Sequence, residues 1–133
     1  MSFNWIDYLE LAKALSLNSN IGTPEARCRC IVSRAYYAVY NLSREYCEYK
    51  LKMTLRKDAG DHRELCKRLK ENGIGDCKKL GQLLFALYQE RVGADYQSDF
   101  NNEMSDNESL NLKSRLAINN AQEALKRLDR LNR

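Results

Sequence analysis

Between Thr23 and Tyr49 the chain reads TPEARCRCIVSRAYYAVYNLSREYCEY, and after Pro24 neither Gly nor Pro interrupts it for 25 residues. The Thr23 side chain can accept a hydrogen bond from the free N–H groups of a first helical turn. Pro24 behind it has its φ already set and no N–H to leave unsatisfied. A long helix therefore starts here. Ala26, Cys30, Tyr37, Leu42 and their neighbours spread apolar and aromatic side chains over much of its circumference, which a helix sustains only when other helices surround it. The stretch reads as the central helix of an all-α domain.

What surrounds it must also be helical. One Pro and six Gly in 133 residues leave few places to turn the chain, and this length suits one core, so residues 1–133 are expected to form a single domain. Phe3 to Leu17 has Trp5, Tyr8, Leu9, Ala12 and Leu15 at helical period, and Asn18 to Gly22 is a polar linker. Lys50 to Asp61 reads as the frayed end of the central helix plus a loop. Asp61 is placed to cap a third helix, His62 to Glu71, ended by Asn72-Gly73. Asp76 is placed to cap a fourth, from Cys77, with the stripe Leu80, Leu84, Leu87 and Arg91. Ser105 with Glu108 matches a capping box for a last helix marked by Leu110, Ala117, Ala121, Ala124, Leu128 and Leu131. The expected architecture is an antiparallel bundle of about five helices. Gln97 to Met104 is its most polar loop.

Charge narrows the partners only slightly. A balance of 22 Lys and Arg against 18 Asp and Glu gives +4, mildly basic and compatible with nucleic acid. The five cysteines are odd in number and scattered over helical stretches, and no apolar leader precedes them, which points to the cytoplasm. Cys28 and Cys30, two apart on a helix, face nearly opposite ways, so no metal or other cofactor is expected. Uninterrupted apolar runs fall far short of the roughly 20 residues that span a bilayer.

Arg91 is the anomaly, because a guanidinium ends a stripe that should be leucine. It must be paired or face a groove, and Asp95 one turn on can pair with it. Two roles stay open at this level: an ion pair at the rim of the bundle, or a polar notch that receives a phosphate or another chain. On the central helix Arg34 and Tyr37 share a face beside Ser33, while Tyr36 and Tyr40 read as core. His62 is the only histidine, the one side chain suited to proton transfer at neutral pH, and its setting in DHREL reads as solvated. No nucleophile motif or Gly-rich phosphate loop occurs.

SRAYYAVYNLSREYC on the second helix and LYQERVGADY on the fourth, with a polar loop and an Ala/Leu-rich last helix after them, together resemble the HEPN superfamily. The likeness is to the small bacterial branch with an S-R-A-Y-Y-A helix and a later R-x-x-A-D-Y element. The resemblance implies a helical bundle that dimerises through its polar motifs, in a bacterial defence or toxin–antitoxin module. It further implies either a metal-independent ribonuclease or a binding protein for RNA or nucleotide phosphate. In the ribonuclease members an Arg is followed after a short spacer by a His. Here Arg91 matches the Arg, but Val92 to Gln97 contain no His. Arg91 and Arg34 would contact phosphate beside Tyr37, and Asp95 and Tyr96 would orient Arg91 or move protons. His62 would serve only if the third helix brings it to Arg91. The alternative is a non-catalytic module whose notch locks a homodimer or seats a partner such as a nucleotidyltransferase. A plain structural bundle is the third.

Overall fold

A computed structural model describes residues 3–73, 75–99 and 106–133. Five helices follow in order: α1 (Ile6–Leu17), α2 (Pro24–Tyr49), α3 (Asp61–Glu71), α4 (Gly75–Tyr96) and α5 (Asn107–Leu131). The fold is an all-helical bundle. Thr23 caps α2 by accepting from the Ala26 N–H at 3.2 Å, and α2 touches each of the other four helices.

Directions follow from which residues meet. Ser33 meets Asp95 and Tyr37 meets Arg91, so α2 and α4 are antiparallel. Glu90 meets Lys113 and Asp76 meets Arg127, so α4 and α5 are antiparallel as well. Cys28 lies against Leu110, while Leu42 and Tyr46 share one cleft with Leu125 and Leu128, so α5 runs parallel to α2. Buried Val32, Ala35, Val39, Leu80, Leu84, Ala121 and Ala124 fill the space between.

The segment after α2 decides where α3 lies. Leu51, Met53 and Leu55 are partly buried and the residues between them exposed, a period of two that suits extended chain lying on a core. This strap carries the chain back along α2 before α3 begins, so α3 runs parallel to α2 and His62 comes level with Tyr36 and Tyr40. Asp61 anchors the turn. Its buried carboxylate accepts from the Arg56 N–H at 3.0 Å and the Lys57 N–H at 2.7 Å. That corrects its expected role as the cap of α3: it is the helix's first residue and ties down the loop before it.

Other expectations shift in detail. The first helix starts at Ile6 rather than Phe3, and Asp76 lies inside the first turn of α4, paired with Arg127 at 3.0 Å and Arg130 at 3.4 Å instead of capping. Asp106 caps α5 by accepting from the Ser109 N–H at 2.7 Å. The expected cap Ser105, and most of the polar loop, lie outside the described residues. Asn72-Gly73 ends α3 with Gly73 at φ +76°, and Gly81 lets α3 lie close on α4. A Cβ there would stand 3.0 Å from the Leu69 Cβ and from the Lys70 backbone nitrogen. Among the described residues no helix is long and apolar enough to cross a membrane.

Candidate functional site

The Leu80, Leu84, Leu87 stripe is fully buried, and Arg91 continues it at 7% exposure. The charge is stabilised where it sits. Arg91 Nε donates to Asp95 Oδ2 at 3.0 Å, and Nη2 donates to the Tyr37 hydroxyl and, at 3.3 Å, to that of Tyr96. The guanidinium carbon lies 5.0 Å from the Tyr37 ring centre, 5.1 Å from that of Tyr96 and 5.6 Å from that of Tyr36, within range for cation–π attraction. Burial acts against the charge, and Tyr37, Tyr96, Asp95 and Tyr36 more than offset it, so Arg91 titrates above its ordinary range. Nη1 has no hydrogen-bond partner among the described residues.

Helix α2 fixes the opposite wall. Ser33 Oγ donates to Asp95 Oδ2 at 3.2 Å, so that one oxygen receives both Ser33 and Arg91. Arg34 Nη2 donates to Ser33 Oγ at 3.2 Å. The Arg34 guanidinium also covers the Tyr8 ring at 4.5 Å and the Tyr37 ring at 5.4 Å. Arg29, one turn before Ser33, holds the end of α4 by donating to the Ala94 carbonyl at 2.9 Å and the Ser98 carbonyl at 3.2 Å. The Ala94 carbonyl lies in the last turn of α4 and the Ser98 carbonyl just beyond it, so the cation secures the turn that carries Asp95 and Tyr96.

His62 is half-buried, not solvated, which corrects the reading of DHREL as an exposed helix start. Its Nδ1 is hydrogen-bonded to the Tyr36 hydroxyl. The ring stacks on Tyr40 at 4.3 Å and, at longer range, on Tyr88 at 5.7 Å, with the Tyr37 ring at 6.4 Å. Burial first, and then the Arg91 charge, hold its pKa below the ordinary histidine value, with Asp61 opposing. At neutral pH the imidazole is uncharged. Burial raises the Tyr36 phenol far above its usual range and pushes Tyr40 up to about 12. Tyr36 therefore keeps its proton and donates it to Nδ1, which puts the ring's own proton on Nε2.

The six residues named from the sequence (Arg34, Tyr37, His62, Arg91, Asp95 and Tyr96) thus belong to one continuous cluster. Arg91 and His62 do not bond to each other; Tyr36 and Tyr37 stand between them. Sequence reasoning missed Tyr88, Arg29 and Tyr8. Arg29 was within reach, because Arg29, Ser33, Tyr36, Tyr37 and Tyr40 follow one helical stripe. Tyr8 and Tyr88 carried no such signal. Cys28 is buried and Cys30 exposed, two faces of one helix. Among the described residues no group of three or more His, Cys, Asp or Glu is arranged to hold a metal ion. No protein-family model, no curated protein and no solved structure matches this chain.

Proposed function

We propose that the chain is a HEPN-like protein that binds RNA or nucleotide phosphate at the Arg91 cluster, as part of a bacterial defence or toxin–antitoxin module. The observation that carries the reading is a guanidinium buried to 7% exposure yet left with Nη1 unpartnered, framed by tyrosine rings. A preorganised Arg suits phosphate oxygens, and Tyr96, 71% exposed at the edge of the cluster, offers a face on which a base can stack. Arg34 would supply a second cation beside Tyr37.

The chemistry favours binding over cleavage. Breaking RNA through its own 2′-hydroxyl needs one group to take a proton and another to return one. His62 presents Nε2–H, a donor, and Asp95 has one carboxylate oxygen engaged by Arg91 and Ser33. Ribonuclease activity would require the remaining Asp95 oxygen to act as base and His62, uncharged at neutral pH, to be protonated before it could act as acid. Incubating labelled single-stranded RNA with wild type, Arg91→Ala and His62→Gln separates the two. Binding lost in Arg91→Ala is the expected result; absence of both binding and cleavage in the wild type would remove the nucleic-acid reading.

The alternative, a non-catalytic module that seats a second copy or a nucleotidyltransferase-type partner, is favoured by the aromatic cluster Phe3, Trp5 and Tyr8 at the N-terminal end of α1. Their rings pack within 4.9 to 5.6 Å of one another while Phe3 stays exposed. On that reading Arg91→Ala changes the mass in solution and no RNA is bound.

A further inference from the structure

The chain's positive charge is not spread evenly. Residues 50–79 hold ten Lys and Arg against five Asp and Glu, a surplus of five, while the whole chain's surplus is four, so the remainder is slightly acidic. Pairing differs in the same way. Of the twelve cations outside this segment, eight form ion pairs within 4.0 Å, whereas none of the ten inside it does so among the described residues. Glu64 and Glu71 stand four residues from Arg68 and Lys67, and even these spacings form no pair.

Arg63, Lys67 and Lys70 recur at i, i+4 and i+7, one face of α3. With Cys66, Glu71 and Phe85 they line a shallow recess of ≈ 300 Å³, three cations to one carboxylate, and the Lys70 ammonium lies 4.2 Å from the Phe85 ring centre. Like charges at this spacing repel, and neither Glu64 nor Glu71 forms an ion pair with them. A partner that supplies the missing negative charge offsets that repulsion.

A series of ring contacts links Phe85 in the recess to the Arg91 cluster. Phe85 stacks against Tyr88 at 6.4 Å, Tyr88 against His62 at 5.7 Å, and Tyr88 lies 6.0 Å from Tyr36. Cations that form no ion pair among the described residues, beside the partly buried rings of Phe85 and Tyr88, meet the two requirements for holding a flexible strand, phosphates on one and bases on the other. An acidic protein surface would have use for the charges but not for the rings.

We propose that the outer face of α3 is the track along which a single-stranded RNA leaves the Arg91 cluster, with Arg63, Lys67 and Lys70 on its phosphates. This rests on the nucleic-acid reading above and adds to it a direction, a footprint and a partner longer than a mononucleotide.

The test uses a fluorescent 20-nucleotide oligouridylate and anisotropy titrations over a range of salt. Arg63→Gln/Lys67→Gln/Lys70→Gln is compared with Arg115→Gln/Lys126→Gln/Arg133→Gln, which removes the same charge elsewhere, and with Arg91→Ala; circular dichroism checks that each is helical. The α3 triple should weaken binding about tenfold or more and flatten the slope of log K against log salt by about 2, while the control triple changes it less than about twofold. The track is overturned if the two triples weaken binding equally or the α3 triple has no effect. In that case Arg91→Ala still reports on the cluster separately, since its loss of binding would leave the cluster standing. Loss in the α3 triple with none in Arg91→Ala would keep the track and remove the cluster. Polyglutamate or phosphatidylserine vesicles bound as tightly as the RNA, and released by the same triple, would assign the face to an acidic protein or a membrane surface instead.

Discussion

The seam between α2 and α4 has two ends built on the same pair of helices. Around Cys47, Leu80 and Leu84 it is closed by buried apolar side chains, with Leu69 of α3 against Gly81 sealing the flank. About three turns along, Ser33, Tyr37, Arg91 and Asp95 occupy equivalent positions and the helices are joined by hydrogen bonds. At the dry end the contact is worth the area it hides from water. At the polar end, ordering a guanidinium and three hydroxyls adds little net stability, since the desolvation of the charge cancels much of what its partners return. One end holds the bundle together, and the other contributes little to its stability.

That contrast can be broken by experiment. The largest effect should come from Leu84→Ala at the dry end, expected to cost about 2–5 kcal/mol in urea unfolding, because a fully buried leucine leaves a cavity. Arg91→Leu at the polar end should cost less, about 1–2 kcal/mol, since leucine continues the stripe but leaves the part-exposed Asp95 carboxylate and the Tyr37 hydroxyl without their partner, while RNA binding is lost. If Arg91→Leu instead destabilises as much as Leu84→Ala, the cluster is part of the scaffold. Tyr36→Phe should cost about 1 kcal/mol, the net value of the hydrogen bond to His62.

The smallest effects concern protons, and the single histidine makes them readable in one NMR signal. Its pKa should lie below the ordinary value in the wild type and rise in Arg91→Leu, because the Arg91 charge is one of the causes holding it down. A depressed histidine pKa means the unfolded chain binds more protons, so stability is complete above the unfolded value of about 6.5 and falls as pH drops through it toward the folded one. Thermal unfolding between pH 7.5 and 5 should display that decline, and His62→Gln should flatten it. A wild-type signal titrating at or above the ordinary value would place His62 in water and separate it from the Arg91 cluster.

Much of this was legible in the chain itself. Thr23-Pro24 set the start of α2, Asn72-Gly73 the end of α3, and the leucine stripe of α4 pointed to Arg91 as the misfit, each through local backbone and periodicity rules that need no tertiary partner. The pairing of Arg91 with Asp95 was also visible, as two residues one turn apart. His62 was not. Its polar neighbours Asp61 and Arg63 face elsewhere, Asp61 into the loop, and nothing local reveals that the imidazole is turned inward. The same holds for the strap from Leu51 to Leu55, whose alternation spans too few residues to stand out against the helices beside it.

The sequence by itself determined which segments are helices and which helical positions are apolar, because both depend on contacts between residues a few places apart. Only the tertiary structure decided that α3 runs back alongside α2, that its one histidine meets tyrosines from two other helices, and that its cations form no ion pair among the described residues. Those outcomes depend on where an extended strap of a few residues lays the chain down, and that is fixed by the shape of the core it rests on.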